Sequence, residues 1–236
     1  PAYYALMASE YMHRTGVTST DLAEFAVLMR ENAQSHPDAH LRTPITVQDV
    51  LASKPIAAPL TLLDCCPISD GAMALIVSSE PGAHGVVTGQ AHRHQHLTAM
   101  DDVMDCGALR AATNALEEAG MATSEFDYLG IYDSFTITLV VLLEELGFAP
   151  RAGAAARLRA GDFNRDGALP LNTHGGLLSF GHCGVAGGMA HVVETWRQMC
   201  GHAGDRQLKR TPSRAFIHAD GGVMSSHVSL VLAREE

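Results

Sequence analysis

The side chains best suited to chemistry in this 236-residue sequence crowd into two short stretches. One is Leu171-Asn-Thr-His-Gly-Gly-Leu-Leu-Ser-Phe-Gly-His-Cys-Gly-Val-Ala-Gly-Gly188, in which glycines flank His174 and His182. Glycine lets a backbone run close to a ligand, and a helix opening after the last of them presents unpaired N–H groups. The stretch lacks the Gly-Lys-Ser/Thr of a nucleotide phosphate loop and the spacing of a dinucleotide turn. On residue types alone it reads either as a ligand-facing loop or as a glycine-rich turn around a hydrogen-bonded core histidine. The second stretch is Tyr132-Asp133-Ser134, placed where a strand gives way to a helix, the edge of an α/β sheet on which ligands bind. A strand-end tyrosine followed by an ordinary serine cap is the alternative.

Two lesser clusters carry weaker signals. His92, His94 and His96 alternate, so on a strand they would share one face. No matching carboxylate or thiol lies near them, and they read as solvated or locally bonded imidazoles, with no metal expected. Cys65 and Cys66 are adjacent, not spaced as a C-x-x-C redox pair, and read as small buried residues in preference to a nucleophile.

The elements that must position these groups follow from periodicity. Leu22, Phe25, Ala26, Met29 and Ala33 recur at helical spacing behind a Thr18-x-x-Asp21 cap, predicting a helix over 19–34. Residues 2–13 read as helix interior. Residues 41–58 read as a surface excursion with one turn at 46–51. Ala72-Met-Ala-Leu-Ile-Val-Ser78 is an apolar run without polar alternation, as expected of a strand covered on both faces. Strands near 85–91, 127–132, 214–219 and 226–233 then alternate with helices near 101–119, 134–146 and 187–200. Gly120 and Gly147 suit left-handed helix ends, and Ser134 suits an N-cap. Met189, Val192, Val193, Trp196 and Cys200 form the stripe expected to face the sheet. The Ala/Gly/Arg-rich 150–166 reads as a surface connection. The architecture predicted is α/β.

Composition removes several classes of function. With 47% apolar and 18% charged residues the chain is globular, and a net charge of −10 with no Lys/Arg run argues against nucleic-acid and anionic-membrane partners. The apolar runs are too short for a membrane span. Five cysteines without a leader-like opening suggest a reducing cytoplasm.

Together the motifs resemble the thiolase superfamily, in particular its sterol-carrier-protein-type thiolases and lipid-transfer-protein-like enzymes. The carriers are Ala58-Pro-Leu-Thr-Leu-Leu-Asp-Cys-Cys-Pro-Ile-Ser-Asp-Gly-Ala72, Tyr132-Asp-Ser-Phe135, Asn172-Thr-His-Gly-Gly176 with Gly181-His182, and Ala219-Asp-Gly-Gly222. A thiolase has two similar halves with a loop domain inserted in the first. The resemblance implies a thiolase-like fold in which residues 1–82 are a loop-domain remnant with the last strand of the N-terminal half. Residues 83–236 are then the C-terminal βαβαβαββ half. The sequence would thus begin partway through a larger protein, and the family's acyl-carrying Cys would lie upstream of Pro1.

By the same resemblance His182 is the histidine that takes the proton of that Cys and polarises the thioester oxygen, although Cys183 follows it where Pro is common. Tyr132 replaces the Asn or His of the second oxyanion hole. Cys66 stands at a pantetheine-contacting Ser, and His174, Gly175 and Gly176 border the coenzyme A thioester. Ala219 occupies the place of the acid/base Cys. The implied function is an acyltransferase-class enzyme of lipid or sterol side-chain metabolism. It would take an acyl-CoA thioester as substrate, bind no covalent cofactor, work as a homodimer or with a partner subunit, and be inactive without its first half. The alternatives are a retro-aldolase subunit cleaving β-hydroxyacyl-CoA without a Cys nucleophile, and a non-catalytic lipid or acyl-CoA carrier.

Overall fold

The computed structural model describes residues 1–79 and 85–234. Helix α1 (Ala2–Thr15) stops at Gly16, whose φ of +75° gives the left-handed C-cap. Helix α2 (Ser19–Ala33) opens with the expected reciprocal cap: the Thr18 N–H donates to Asp21 Oδ2 at 2.7 Å and the Asp21 N–H to Thr18 Oγ1 at 3.4 Å. Thr46 and Asp49 repeat the device for the short α3 (Val47–Ala52), and the ribbon β1 (Pro55–Ala57) and β2 (Leu60–Thr61) follows.

The sheet comprises β3 (Gly85–His92), β4 (Tyr128–Ile131), β5 (Arg214–Gly221) and β6 (Ser226–Ala233) in the order β3-β6-β5-β4. Only β4 and β5 run parallel. Its faces separate by strand alternation. Phe216 and Val231 join the large core with α4 (Ala108–Ala119), whereas Ala215, Ile217 and Leu232 face Met199 on the other side. A methyl group at Gly89 would overlap the Ala111 carbonyl oxygen, so α4 lies directly on β3 because position 89 is bare.

The long excursion between β4 and β5 carries α5 (Thr136–Glu145), α6 (Ala154–Arg159), α7 (Gly176–Ser179) and α8 (Gly187–Cys200). Helix α5 is buried on every face from Thr136 to Leu143, as an apolar helix must be in the middle of a fold. Within the excursion Leu171 makes a single parallel bridge to Leu129, so the extended segment beside β4 shrinks to one residue.

Several expectations need correction. Residues 72–79 form no strand, and Ile76 and Val77 are 95% and 91% exposed. A strand exists only with a hydrogen-bonded neighbour, and none of the described residues supplies one. Helix α4 starts at Ala108, not near 101, because Gly107 takes φ +101°. Ser134 does not cap α5. Phe135 is the N-cap, while the Ser134 carbonyl accepts the Cys66 N–H at 3.0 Å. Residues 150–166 are not merely surface, since Ala154, Ala155, Leu158 and Phe163 enter the core. Strand β3 ends at His92, so the three alternating histidines share no strand face; His94 is buried and His96 bonds Thr98.

The predicted α8 stripe is also displaced. Trp196 is exposed, and His191, Glu194, Thr195, Gln198 and Met199 are buried instead. Polar residues can face inward here because each of three finds partners. Glu194 pairs with Arg206 at 2.9 Å and accepts from Thr173 Oγ1 at 2.8 Å, Thr195 Oγ1 donates to the His191 carbonyl at 2.7 Å, and Gln198 Nε2 donates to the Arg206 carbonyl at 2.9 Å. Among the described residues no helix is long and apolar enough to cross a membrane.

Candidate active site

Tyr132 leaves the C-terminal end of β4 with its N–H donating to the His218 carbonyl on β5 at 2.9 Å, so the parallel ladder fixes where the phenol starts. Asn172 clamps the residue before it: Oδ1 accepts from the Ile131 N–H at 2.8 Å and Nδ2 donates to the Ile131 carbonyl at 2.7 Å. Asn172 makes this pair of hydrogen bonds at φ +46°, a conformation that Asn tolerates better than most residues. Asn32 of α2 in turn donates to the Leu171 carbonyl at 2.9 Å. Asn32 carries no sequence signal; Asn172 lies within the quoted motif without an assigned role.

His182 reaches the same point from the glycine-rich stretch. Its N–H donates to the Pro67 carbonyl at 3.2 Å and its carbonyl accepts from Ser69 at 3.0 Å, so residues 67–69 hold it like a strand. Tyr132 Oη and His182 Nε2 are 2.7 Å apart. The Gly184 N–H donates to His182 Nδ1 at 3.2 Å, which makes Nδ1 the bare nitrogen and places the ring proton on Nε2. His182 therefore donates to the phenol oxygen, and the Tyr132 O–H remains free for an oxygen of a ligand. Burial raises the Tyr132 pKa, with the Asp220 charge adding to it, and burial lowers that of His182. Both groups are neutral at neutral pH, an arrangement suited to stabilising an oxyanion by hydrogen bonding.

The other expected residues fall around this pair. Cys66 is tied by its N–H to Ser134, next to Tyr132, and burial pushes its thiol up to about 12 and that of Cys65 to about 11. Neither is a thiolate at neutral pH, the form a nucleophile needs. Gly175, at φ +106°, lets Ala33 of α2 approach, since a methyl group there would sit 2.5 Å from the Ala33 Cβ. Gly176 makes room for Asp133, whose Oδ1 accepts the Leu177 N–H at 2.7 Å. Ala219 faces Gly188 of α8 and offers no ionisable group. Asp220 is buried on the opposite strand face, accepts from the Met224 N–H at 3.3 Å, and is pushed by burial up to about 7.

His174 is not in contact with the pair but one ring removed. It packs edge-on against His191 with centroids 5.0 Å apart, and His191 lies 6.3 Å from the Tyr132 ring. A cavity of about 590 Å³ adjoins His182 through Gly181 and Cys183, and His174, Ser69, Asp70 and Arg197 line it.

A mixed sheet covered by helices on both faces, with a hydrogen-bonded Tyr–His pair at the C-terminal edge of its parallel strands, defines an α/β protein. The chain belongs to the thiolase C-terminal domain-like family, whose model matches residues 89–234. It is 33% identical over 97% of its length to an acetyl-CoA acetyltransferase of Methanothermobacter thermautotrophicus, and covers 62% of that protein. It is 33% identical over 83% of its length to a steroid side-chain-cleaving aldolase of Thermomonospora curvata, covering 54% of it. Among solved structures, an Ltp2-ChsH2(DUF35) aldolase superposes with a TM-score of 0.83 at 29% identity, over 98% of this chain and 63% of the other. The chain thus spans between half and two thirds of these proteins.

Proposed function

We propose that this chain carries the oxyanion-stabilising part of a retro-aldolase that cleaves β-hydroxyacyl-CoA thioesters. The observation that supports it most is the Tyr132–His182 pair, whose phenol O–H is left free by the histidine behind it. In a retro-aldol cleavage the β-hydroxyl loses its proton and becomes a carbonyl as the Cα–Cβ bond breaks. The electron pair passes into the thioester as an enolate, which takes a proton at Cα. Charge builds on the thioester oxygen, and a neutral donor held in a buried site stabilises it more than water would. No thiolate is required, in keeping with Ala219 and with the protonated Cys65 and Cys66. The aldolase names of two relatives agree with this reading, and the second subunit named with one of them favours a partner subunit here.

Acyl transfer is the second reading, favoured by similarity to an acetyl-CoA acetyltransferase over nearly the whole chain. It needs a nucleophilic thiol, and burial holds the thiols of Cys65 and Cys66 beside Tyr132 protonated at neutral pH. Two assays of the intact protein separate the readings: thiolysis of a 3-ketoacyl-CoA and cleavage of a β-hydroxyacyl-CoA. Cleavage is expected, with Tyr132→Phe and His182→Ala each lowering kcat about 100-fold or more, the usual range for such groups. Thiolysis without cleavage would establish the acyltransferase, and tight acyl-CoA binding without either reaction would establish a carrier.

A further inference from the structure

Asp220 is a buried acid that the Tyr132–His182 pair leaves without a role. It lies near the end of β5, across the antiparallel ladder from His227, and two residues beyond His218, whose carbonyl holds the Tyr132 N–H. Its side chain is only 9% exposed. Oδ2 accepts the Met224 N–H at 3.3 Å, and Oδ1 has no hydrogen-bond partner. Buried carboxylates are ordinarily matched by a cation or by several donors, and among the described residues no cation pairs with this one.

The groups around Asp220 are uncharged at neutral pH. Tyr4 of α1 stacks on Phe135 with centroids 4.2 Å apart and donates to the carbonyl of Gly222, just past Asp220, at 3.4 Å. Burial raises the pKa of Tyr4, Tyr132 and Cys106, and the Asp220 charge adds to each. Cys66, beside both phenols, is pushed up to about 12. Burial lowers the pKa of His227 and of His218, which bond each other at 3.1 Å. Farther out stand Glu145, which accepts from Cys106 Sγ at 2.8 Å, and the buried His94 near His227. With no cation to hold its charge, burial pushes the Asp220 carboxyl up to about 7, so this end of the sheet turns negative as pH rises through neutrality. A charge in such a dry setting acts across several ångströms with a strength that water would remove.

We propose that Asp220 is a positioning residue that gates the Tyr132 donor: as an uncharged acid it lets the phenol hold an oxyanion, and as a carboxylate it repels that oxyanion. This deepens the retro-aldol reading and rests on it for the reaction that is gated. As the Cα–Cβ bond breaks, the enolate places negative charge on the thioester oxygen at Tyr132. A second negative charge near the phenol raises the energy of that state and leaves the neutral substrate unaffected, so the effect falls on kcat. Asp220 itself touches no substrate and exchanges no proton with it. The sign is fixed: activity belongs to the acid form and falls as pH rises through about 7. Stability follows the same sign, because a carboxyl whose pKa is raised on folding stabilises the fold at low pH and loses that contribution as pH rises through the folded value.

Turnover and binding test the gate separately. The intact protein is assayed from acid to alkaline pH for cleavage of a β-hydroxyacyl-CoA and, without turnover, for binding of acetoacetyl-CoA, whose enolate carries charge on the thioester oxygen and is read by its ultraviolet absorbance. Wild-type kcat is expected to show an alkaline limb with a midpoint of about 7. Asp220→Asn, which keeps an acceptor for the Met224 N–H, should remove that limb. Above the midpoint the variant should hold the enolate about tenfold more tightly than wild type, the scale of one unit charge at short range inside a protein. Below it the two should match. Infrared difference spectra of wild type should show a carboxyl losing its proton at the same midpoint, a measurement that stands even if the variant does not fold. The same kcat profile and enolate affinity in both proteins overturns the assignment, as does a carboxyl ionised well below neutral pH. A variant more stable at alkaline pH but unchanged in both readouts makes Asp220 a structural residue and likewise overturns it. Enolate affinity set by Asp220 with no cleavage by wild type keeps the gate and removes the retro-aldol reading.

Discussion

Tyr132 and His182 show how one backbone amide can set the chemistry of a pair. A neutral imidazole has two tautomers, and the Gly184 N–H pointing at Nδ1 selects the one with its proton on Nε2. Protonating His182 would add an N–H at Nδ1 facing the N–H of Gly184, and burial also opposes the charge. The folded pKa is therefore below the ordinary histidine value of about 6.5. The sign for function follows: the pair is intact across neutral pH and is lost only as pH falls through that lowered value. Ring nitrogen NMR on the wild-type protein should show the Nε2–H tautomer and a midpoint below 6.5, and the acid limb of kcat should share that midpoint. A midpoint above 6.5 would mean that His182 works as a cation and would reverse its assignment as a neutral donor.

At the scale of elements, the glycine-rich stretch and helix α8 carry the site, and α8 is where sequence reasoning and structure part. Its extent, 187–200, was legible from periodicity, as were the bounds of α2 and β6 and the caps at Thr18 and Gly120. Local signals such as caps and spacing act within a few residues, so the sequence carries them directly. The inward face of α8 was not legible, because Glu194 is buried by Arg206 and Thr173, partners 12 and 21 residues away. Tyr132 and His182 were both legible as chemistry-bearing residues, but their 2.7 Å contact spans 50 positions and depends on the Asn172 clamp. The buried pair gives a prediction at this scale. Removing one partner by Glu194→Gln or Arg206→Met strands a buried charge and costs about 3–5 kcal/mol. Replacing both with apolar residues of similar size should cost clearly less, and denaturant unfolding of the three variants measures the difference. Equal losses in single and double variants would show that the pair matters only through packing.

For the molecule as a whole, the pattern at Ala72–Val77 and the structure there disagree in an instructive way. An apolar run without alternation suits a strand covered on both faces, yet Ile76 and Val77 are bare, and Ile68 and Val185 beside the His182 ladder are 96% and fully exposed. Scattered surface apolars need no explanation, but large side chains concentrated near a candidate site mark a surface that something covers. The chain spans 62% of the acetyltransferase it resembles. Adjacent strand residues point to opposite faces, which lets substitution read each face in turn. A partner surface that covers this run on both faces predicts that Ile76→Asp and Val77→Asp each lower the unfolding midpoint of the assembled protein by several degrees, because cover would leave each new charge buried and unpaired. Loss at only one position would mean a strand covered on one side. Changes within about 0.5 kcal/mol at both, the ordinary range for surface substitutions, would leave this run exposed in the assembled protein and remove the case for a covered edge beside His182.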